Sequence, residues 1–306
     1  MNDKIFVMLP AYIDPDLALT LTEMYTKADK PENLTIAIGM SYLDEKDIPK
    51  QTVVPNKQLK VLYWDAHNRP GTMRVRSLLN DFYTDEQYYF SIDSHMLFAE
   101  GWDTEIKKEL NELSKMVEND KVILINHKRS CKFTIVKDKT YPLFTLKGSS
   151  FSISPTVEGR FARADFLFAG LFFTYGNFAT DVGWIKDVNM ILEEPYMSYR
   201  AYVNGWDLYH NLTDEVYTHS PLNYYDNVKK VGWIGWNPDP ERYFVEVLFA
   251  LLFNEGYFAV ENPVRTNQEW WNKIGLLKES EEYKKLFVKL KVLDNIEELA
   301  KKFELR

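Results

Sequence analysis

Asp93 and His95 stand two residues apart at the end of an apolar run, Tyr88-Tyr89-Phe90-Ser91-Ile92. Such a run reads as a short buried strand. Residues two apart in an extended chain point the same way. A carboxylate and an imidazole held side by side are a ligand pair for a divalent cation such as Mn²⁺, with Mg²⁺ as the alternative. In open α/β sheets, ligands sit beyond the carboxyl ends of strands, where this pair would lie. The chemistry expected of Asp93-Ser94-His95 is therefore a metal that holds a diphosphate. A strand that merely ends in polar turn residues looks the same, so other residues must add to the reading.

Three further constellations do so. Asp65-Ala66-His67-Asn68-Arg69-Pro70-Gly71 follows a strand and opens a helix. Gly71 lets backbone approach an anion, and the helix N-terminal N–H groups favour negative charge. Arg76, one turn in, offers a planar fork to a phosphate. Surface arginines on an ordinary strand–loop–helix are the alternative. Next, Glu193-Glu194-Pro195 reads as a helix start, with Pro195 in the first turn. Carboxylates are stabilised there by the helix dipole. A Glu at such a rim can also orient an acceptor hydroxyl. Leu208 to Thr218 reads as a strand that delivers His219 at its end, where it could complete a metal site with Asp93 and His95. His67, His127 and His210 are read as ordinary polar residues. Finally, Gly232-Trp233-Ile234-Gly235-Trp236 could be a sugar platform, a mobile lid or a plug at the core edge.

The elements that must position these residues alternate. Ile5 to Leu9 is a strand, ended by Pro10. Asp14 reads as the N-cap of a helix with Pro15 at its first position. Leu17, Leu21, Met24 and Tyr25 form its apolar face. Leu34 to Met40 and Leu59 to Trp64 are strands, separated by a polar loop. Thr72 to Tyr83 is a helix, Tyr88 to Ile92 a strand, Trp102 to Glu118 a helix, and Val122 to Asn126 a fifth strand. This rhythm predicts a parallel, Rossmann-like sheet. No G-x-G-x-x-G follows the first strand, which argues against a classical dinucleotide fold. Beyond residue 126, Lys128 to Ser154 suits hairpins, Phe161 to Thr174 a strand, and Asn189 to Val203 a helix. Residues 240–306 read as mostly helical. The expected division is a catalytic domain over 1–239 and a helical segment over 240–306 packed on it.

Composition narrows the function. The chain has 306 residues, 45% of them apolar, enough for a real core. A formal charge of −8 disfavours generic nucleic-acid binding. The single cysteine, Cys131, excludes an intrachain disulfide and a Cys-rich zinc site. No apolar run approaches the roughly 18 residues that span a bilayer. The N-terminus runs directly into the first strand and does not read as a signal peptide. The expectation is a cytoplasmic protein with no membrane partner. Oligomeric state is left open.

These segments together resemble a known family. The matching pieces are Ile5-Phe6-Val7-Met8-Leu9-Pro10-Ala11-Tyr12-Ile13-Asp14-Pro15, then Gly71 and Arg76, then Asp93-Ser94-His95-Met96 with Gly101-Trp102-Asp103. Glu193-Glu194 with Ser198, Arg200 and Gly205-Trp206-Asp207 follow, then His219, then Arg265-Thr266 with Glu269, Trp270 and Gly275. The chain is similar to the GlcNAc-transferases typified by the enzyme that modifies hydroxyproline on the Skp1 adaptor. More remotely it resembles the polypeptide GalNAc-transferases. It departs from the family at Ile13, where an Arg is usual, and at Tyr202, where a Trp is usual.

The resemblance implies a GT-A glycosyltransferase fold: a Rossmann-like mixed sheet with flanking helices and a helical C-terminal extension. It implies a UDP-sugar donor, a divalent metal held by Asp93, His95 and His219, and retention of anomeric configuration. Pro10, Ala11 and Tyr12 would line the nucleoside pocket, with Asp65 a candidate for the ribose or base. Arg76 would neutralise the diphosphate. Glu194 or Glu193 would position the acceptor hydroxyl or the donor sugar. The leaving phosphate itself can take the acceptor's proton, so no general base is assigned. The expected acceptor is a protein or glycan hydroxyl. One alternative is a hydroxymethylated DNA base, favoured by the basic run Lys128, Arg129, Lys132, Lys137 and Lys139 and opposed by net charge. The other is a module that binds a nucleotide sugar without catalysis.

Overall fold

The structure is a computed structural model. It describes residues 3–45, 48, 52–125, 129–130, 141–147, 150–157, 161–186, 190–211, 216–219, 231, 250–251, 253–254 and 256–274. The segment 232–236 and most of the C-terminal region lie outside the described residues, as do the side chains of 126–160 and 211–230.

The first half follows the predicted alternation. Strand β1 (Ile5–Tyr12) leads to helix α1 (Leu17–Thr26), β2 (Leu34–Tyr42), β3 (Leu59–Asp65), α2 (Thr72–Asn80), β4 (Tyr88–Ile92), β5 (Met96–Phe98), α3 (Trp102–Val117) and β6 (Val122–Ile125). Then come β7 (Arg129–Ser130), the antiparallel pair β8 (Tyr141–Lys147) and β9 (Ser150–Val157), β10 (Phe161–Arg163) and β11 (Leu171–Tyr175). Helices α4 (Phe178–Asp181) and α5 (Met190–Val203), strands β12 (Asp207–Asn211) and β13 (Val216–His219), and helix α6 (Asn267–Lys273) complete the order.

Eight strands form the main sheet in the order β10-β12-β6-β11-β4-β1-β2-β3. Strands β3, β2, β1 and β4 run parallel. Strand β11 is antiparallel and separates β4 from β6. The sheet is therefore mixed, as the family resemblance implies, and its strands up to β6 run parallel to one another. Every residue of β1 is buried, as expected of a strand covered on both faces. Alternation along β1 sorts the two cores. Phe6 and Met8 face α2, α4, α5 and α6. Ile5, Val7, Leu9 and Ala11 face α1 and α3.

Five local readings change. Strand β1 does not end at Pro10 but runs through it to Tyr12, because its pairing with β4 stops at Met8 and Pro10 pairs with β2 alone. The run Phe161 to Thr174 is not one strand; a loop over 164–170 divides β10 from β11. Leu208 to Thr218 is two strands in different sheets, because β12 pairs with β6 while β13 pairs with β5 and β7. Helix α5 begins at Met190, so Pro195 lies inside it rather than in its first turn. The N-cap of α1 is Asp16, whose side chain makes no capping bond. Asp14 spends its carboxylate elsewhere.

The motif Gly101-Trp102-Asp103 serves the fold. Gly101 adopts φ 71°, in the left-handed region open to glycine. Trp102 is fully buried and donates to Met24 O, and the buried Asp103 accepts from Asp29 and Lys30 N–H. Gly205-Trp206-Asp207 is similar: Asp207 makes a two-pronged pair with Arg265 at 2.9 and 3.1 Å. Thr266 and Glu269 form a capping box on α6.

Candidate active site

Five segments meet at a pocket of about 250 Å³ beyond the carboxyl ends of β1 and β4. Strand β1 contributes Pro10 and Tyr12. Helix α2 and the loop before it contribute Arg69, Thr72 and Arg76. The end of β4 contributes Asp93, Ser94 and His95. The loop before β11 adds Phe168, Ala169 and Gly170, and α5 adds Glu193 and Glu194. Period-2 alternation explains why Ala11 is absent: it points with Leu9 into the other core.

Asp93 and His95 face each other, with Nε2 of the ring 3.9 Å from Asp93 Oδ2. Both side chains keep part of their surface open. The opposite ring nitrogen, Nδ1, is 2.8 Å from Asp14 Oδ2. A carboxylate only accepts, so Nδ1 is the donor and Nε2 is turned toward Asp93. Burial disfavours the charged ring, but the Asp14 bond and the Asp93 charge outweigh it, and the imidazole is raised above its ordinary value. Burial likewise opposes ionisation of Asp14, yet the bonds from His95, Ser94 and the Asp16 N–H hold its carboxyl below the usual range.

Hard carboxylate oxygen plus an oriented imidazole nitrogen suits a divalent cation. Among the described residues no group of three His, Cys, Asp or Glu side chains forms a full ligand set. The backbone supplies the missing candidate. Thr218 of β13 pairs with Met96 of β5 in antiparallel register. His219 and His95 are thus the next residues along the two chains, which brings their backbones to one end of the small sheet.

Arg76 is buried at 3% exposure. Its Nη1 donates to Ser91 Oγ at 2.7 Å, and its Nη2 lies 3.6 Å from Asp93 Oδ1. Its Nε stands 2.9 Å from Glu193 Oε1 as an ion pair. The two atoms are close but misaligned, and neither has a hydrogen-bond partner among the described residues. Arg76 is therefore a fixed cation shared by two carboxylates, with its plane near the Trp184 ring. Burial raises the Glu193 carboxyl, against the pull of Arg76. Glu194, beside it, keeps some surface open to the pocket. Burial and the Glu193 charge push its carboxyl up to about 8.

The sequence model of the family described as glycosyltransferase (GlcNAc) matches residues 44–223, more than half of the chain. The chain belongs to this family of glycosyltransferases. Its GT-A fold is shared with a solved structure, GalNAc-T7 with UDP, GalNAc and Mn²⁺, at a TM-score of 0.58 and 14% identity. That likeness covers 92% of this chain but only 56% of the other, so the glycosyltransferase spans just over half the length of the protein it matches. No curated protein matches the sequence.

Most residues singled out in the glycosyltransferase sequence reach the pocket: Pro10, Tyr12, Arg76, Asp93, Ser94, His95, Glu193 and Glu194. Three do not line it. Ala11 is in the core. Asp65 accepts from the His67 N–H at 2.7 Å and pairs with its ring. Gly71 is the N-cap of α2 with φ −59°, a conformation any residue adopts. The His219 side chain lies outside the described residues.

Sequence reasoning passed over four residues. Arg69 lies over the Tyr12 ring, 4.6 Å from its centroid. Its place in the loop before α2 was a signal. Phe168 and Gly170 were hidden in an apolar run read as strand. Asp14 was assigned to a helix cap.

Proposed function

We propose that this glycosyltransferase moves a sugar, GlcNAc foremost, from UDP to a hydroxyl on a protein or glycan, with metal dependence and retention of configuration. The observation that carries the proposal is the meeting of Asp93 and His95 with Arg76, Glu193 and Glu194 in one strand-end pocket. The family's description supports GlcNAc as the sugar. The GalNAc-T7 structure contains UDP and Mn²⁺, which supports the same donor class and cation here.

Asp93, His95 and His219 would hold the cation. When bound, it would supply Lewis-acid neutralisation of the leaving diphosphate. Arg76 fixes Asp93 from behind and adds positive charge to the pocket wall. Tyr12 and Pro10, on the β1 side, flank the nucleoside. Glu194 is held protonated at neutral pH, so it donates a hydrogen bond to the sugar or acceptor. The acceptor oxygen bonds to the anomeric carbon, the bond from that carbon to the phosphate oxygen breaks, and the acceptor's proton passes to that oxygen.

The test is UDP release from a panel of UDP-sugars, with Mn²⁺ and then with EDTA. EDTA-sensitive release from UDP-GlcNAc above other donors is the expected result. Absence of both UDP release and UDP binding would overturn the donor assignment.

A further inference from the structure

The Asp14 carboxylate carries three hydrogen bonds although its side chain has 0% exposure. Oδ1 accepts from the Asp16 N–H at 2.9 Å. Oδ2 accepts from Ser94 Oγ at 2.6 Å and from His95 Nδ1 at 2.8 Å. None of these is a cap on α1, whose first residue is Leu17. The carboxylate is aimed across 81 residues of sequence at the ring in the pocket.

The backbone bends unfavourably to aim it. Ile13, immediately before Asp14, adopts φ 46°. A β-branched residue in the left-handed region is a true outlier, costing about 1–3 kcal/mol. Packing holds it there: Ile13 is buried with Tyr12 and Ala66, and its N–H bonds to Ser41 O. A strained turn maintained beside a buried carboxylate points to a positional requirement for that carboxylate.

We propose that Asp14 is a positioning residue for His95, fixing the ring as the Nδ1–H tautomer with Nε2 presented toward Asp93. The inference rests on the proposed metal role of Asp93 and His95. Division of labour is visible in the contacts. Thr20 of α1 secures the backbone of the loop, donating to Ser94 O at 2.7 Å and accepting from the Met96 N–H at 2.9 Å. Asp14 Oδ2 instead touches the ring's far nitrogen, Nδ1. A carboxylate behind a ligating imidazole sets the tautomer, orients the ring and raises its basicity, and losing it weakens metal binding by about 10–100-fold.

The test uses the full chain with ¹⁵N-labelled histidine, at about pH 9, where imidazole is neutral. Proton–nitrogen correlations report which ring nitrogen is protonated. His95→Gln identifies the His95 signals among the five histidines. The wild type is expected to show His95 protonated at Nδ1. Asp14→Ala should shift it toward Nε2–H and weaken Mn²⁺ binding, read by calorimetry, about 10–100-fold. Thr20→Val should lower Tm without moving the tautomer. An unchanged tautomer in folded Asp14→Ala overturns the proposal, as does an equal shift in Thr20→Val. If Asp14→Ala does not fold, Asp14→Asn keeps the shape and one acceptor oxygen but loses the charge. It should weaken Mn²⁺ binding by about 10-fold, and wild-type affinity would overturn the proposal. Absence of Mn²⁺ binding by the wild type overturns the metal role itself, while the tautomer still decides the positioning.

Discussion

Gly170 lies so close to Asp93 that a Cβ built on it would stand 2.6 Å from the Asp93 carboxyl carbon. The two are also joined through backbone, the Asp93 N–H donating to Gly170 O at 2.8 Å. Gly170 therefore leaves the space in which Asp93 holds its rotamer. Gly170→Ala should swing the carboxylate away from its position opposite His95. Mn²⁺ affinity should fall at least about 10-fold, measured by calorimetry, with the circular dichroism spectrum unchanged.

Asp93→Asn tests the carboxylate itself. Asp93 is partly open, and Arg76 keeps Ser91 and Glu193 as partners without it. Metal-free stability should change by no more than about 1 kcal/mol, while UDP release should become undetectable. A collapse in metal-free Tm would show that Asp93 is structural.

Glu194 predicts a pH dependence of stability. The folded state keeps its proton up to about 8, whereas the ordinary value is 4.5. Between these values the unfolded chain binds fewer protons than the folded one, so this group makes stability fall as pH rises, levelling off above the folded value. Glu194→Gln should remove that slope and stabilise the protein by about 1–3 kcal/mol near pH 8. Urea melts from pH 5 to 9 would show it.

Asp103 should behave in the opposite way to the pocket residues. Removing its carboxylate in Asp103→Ala leaves the Asp29 and Lys30 N–H groups without their acceptor. The expected cost is about 2–4 kcal/mol of stability, with UDP affinity unchanged at a temperature where the variant is folded. Lost affinity in the folded variant would contradict its assignment to the fold.

Much of this was legible because it is local. Tyr88–Ile92 is a strand in both readings, since a five-residue apolar run between polar residues has few other uses. Asp93 and His95 follow from it by period-2 geometry. The alternation of strand and helix through β6 was readable for the same reason. The errors also share a cause. Phe161 to Thr174 is mostly apolar, and within its Phe166 to Phe173 stretch nothing in the pattern shows that the residues up to Gly170 leave the sheet to wall a pocket. The boundary at Pro195 failed because a proline near a helix start need not mark its first turn.

The sequence by itself determined the order of strands and helices through β6, the end of β4 with the ligand-type residues that follow it, and the family resemblance, because these depend on neighbours along the chain. Only the tertiary structure decided that Arg76 is shared between Asp93 and Glu193, that Gly170 makes room for Asp93, and that Asp14 serves His95. Those contacts join residues from 17 to 117 positions apart, from separate strands, loops and helices. No periodicity or propensity encodes such distances; they exist once the parallel strands β1 and β4 lie side by side and α5 packs over their ends.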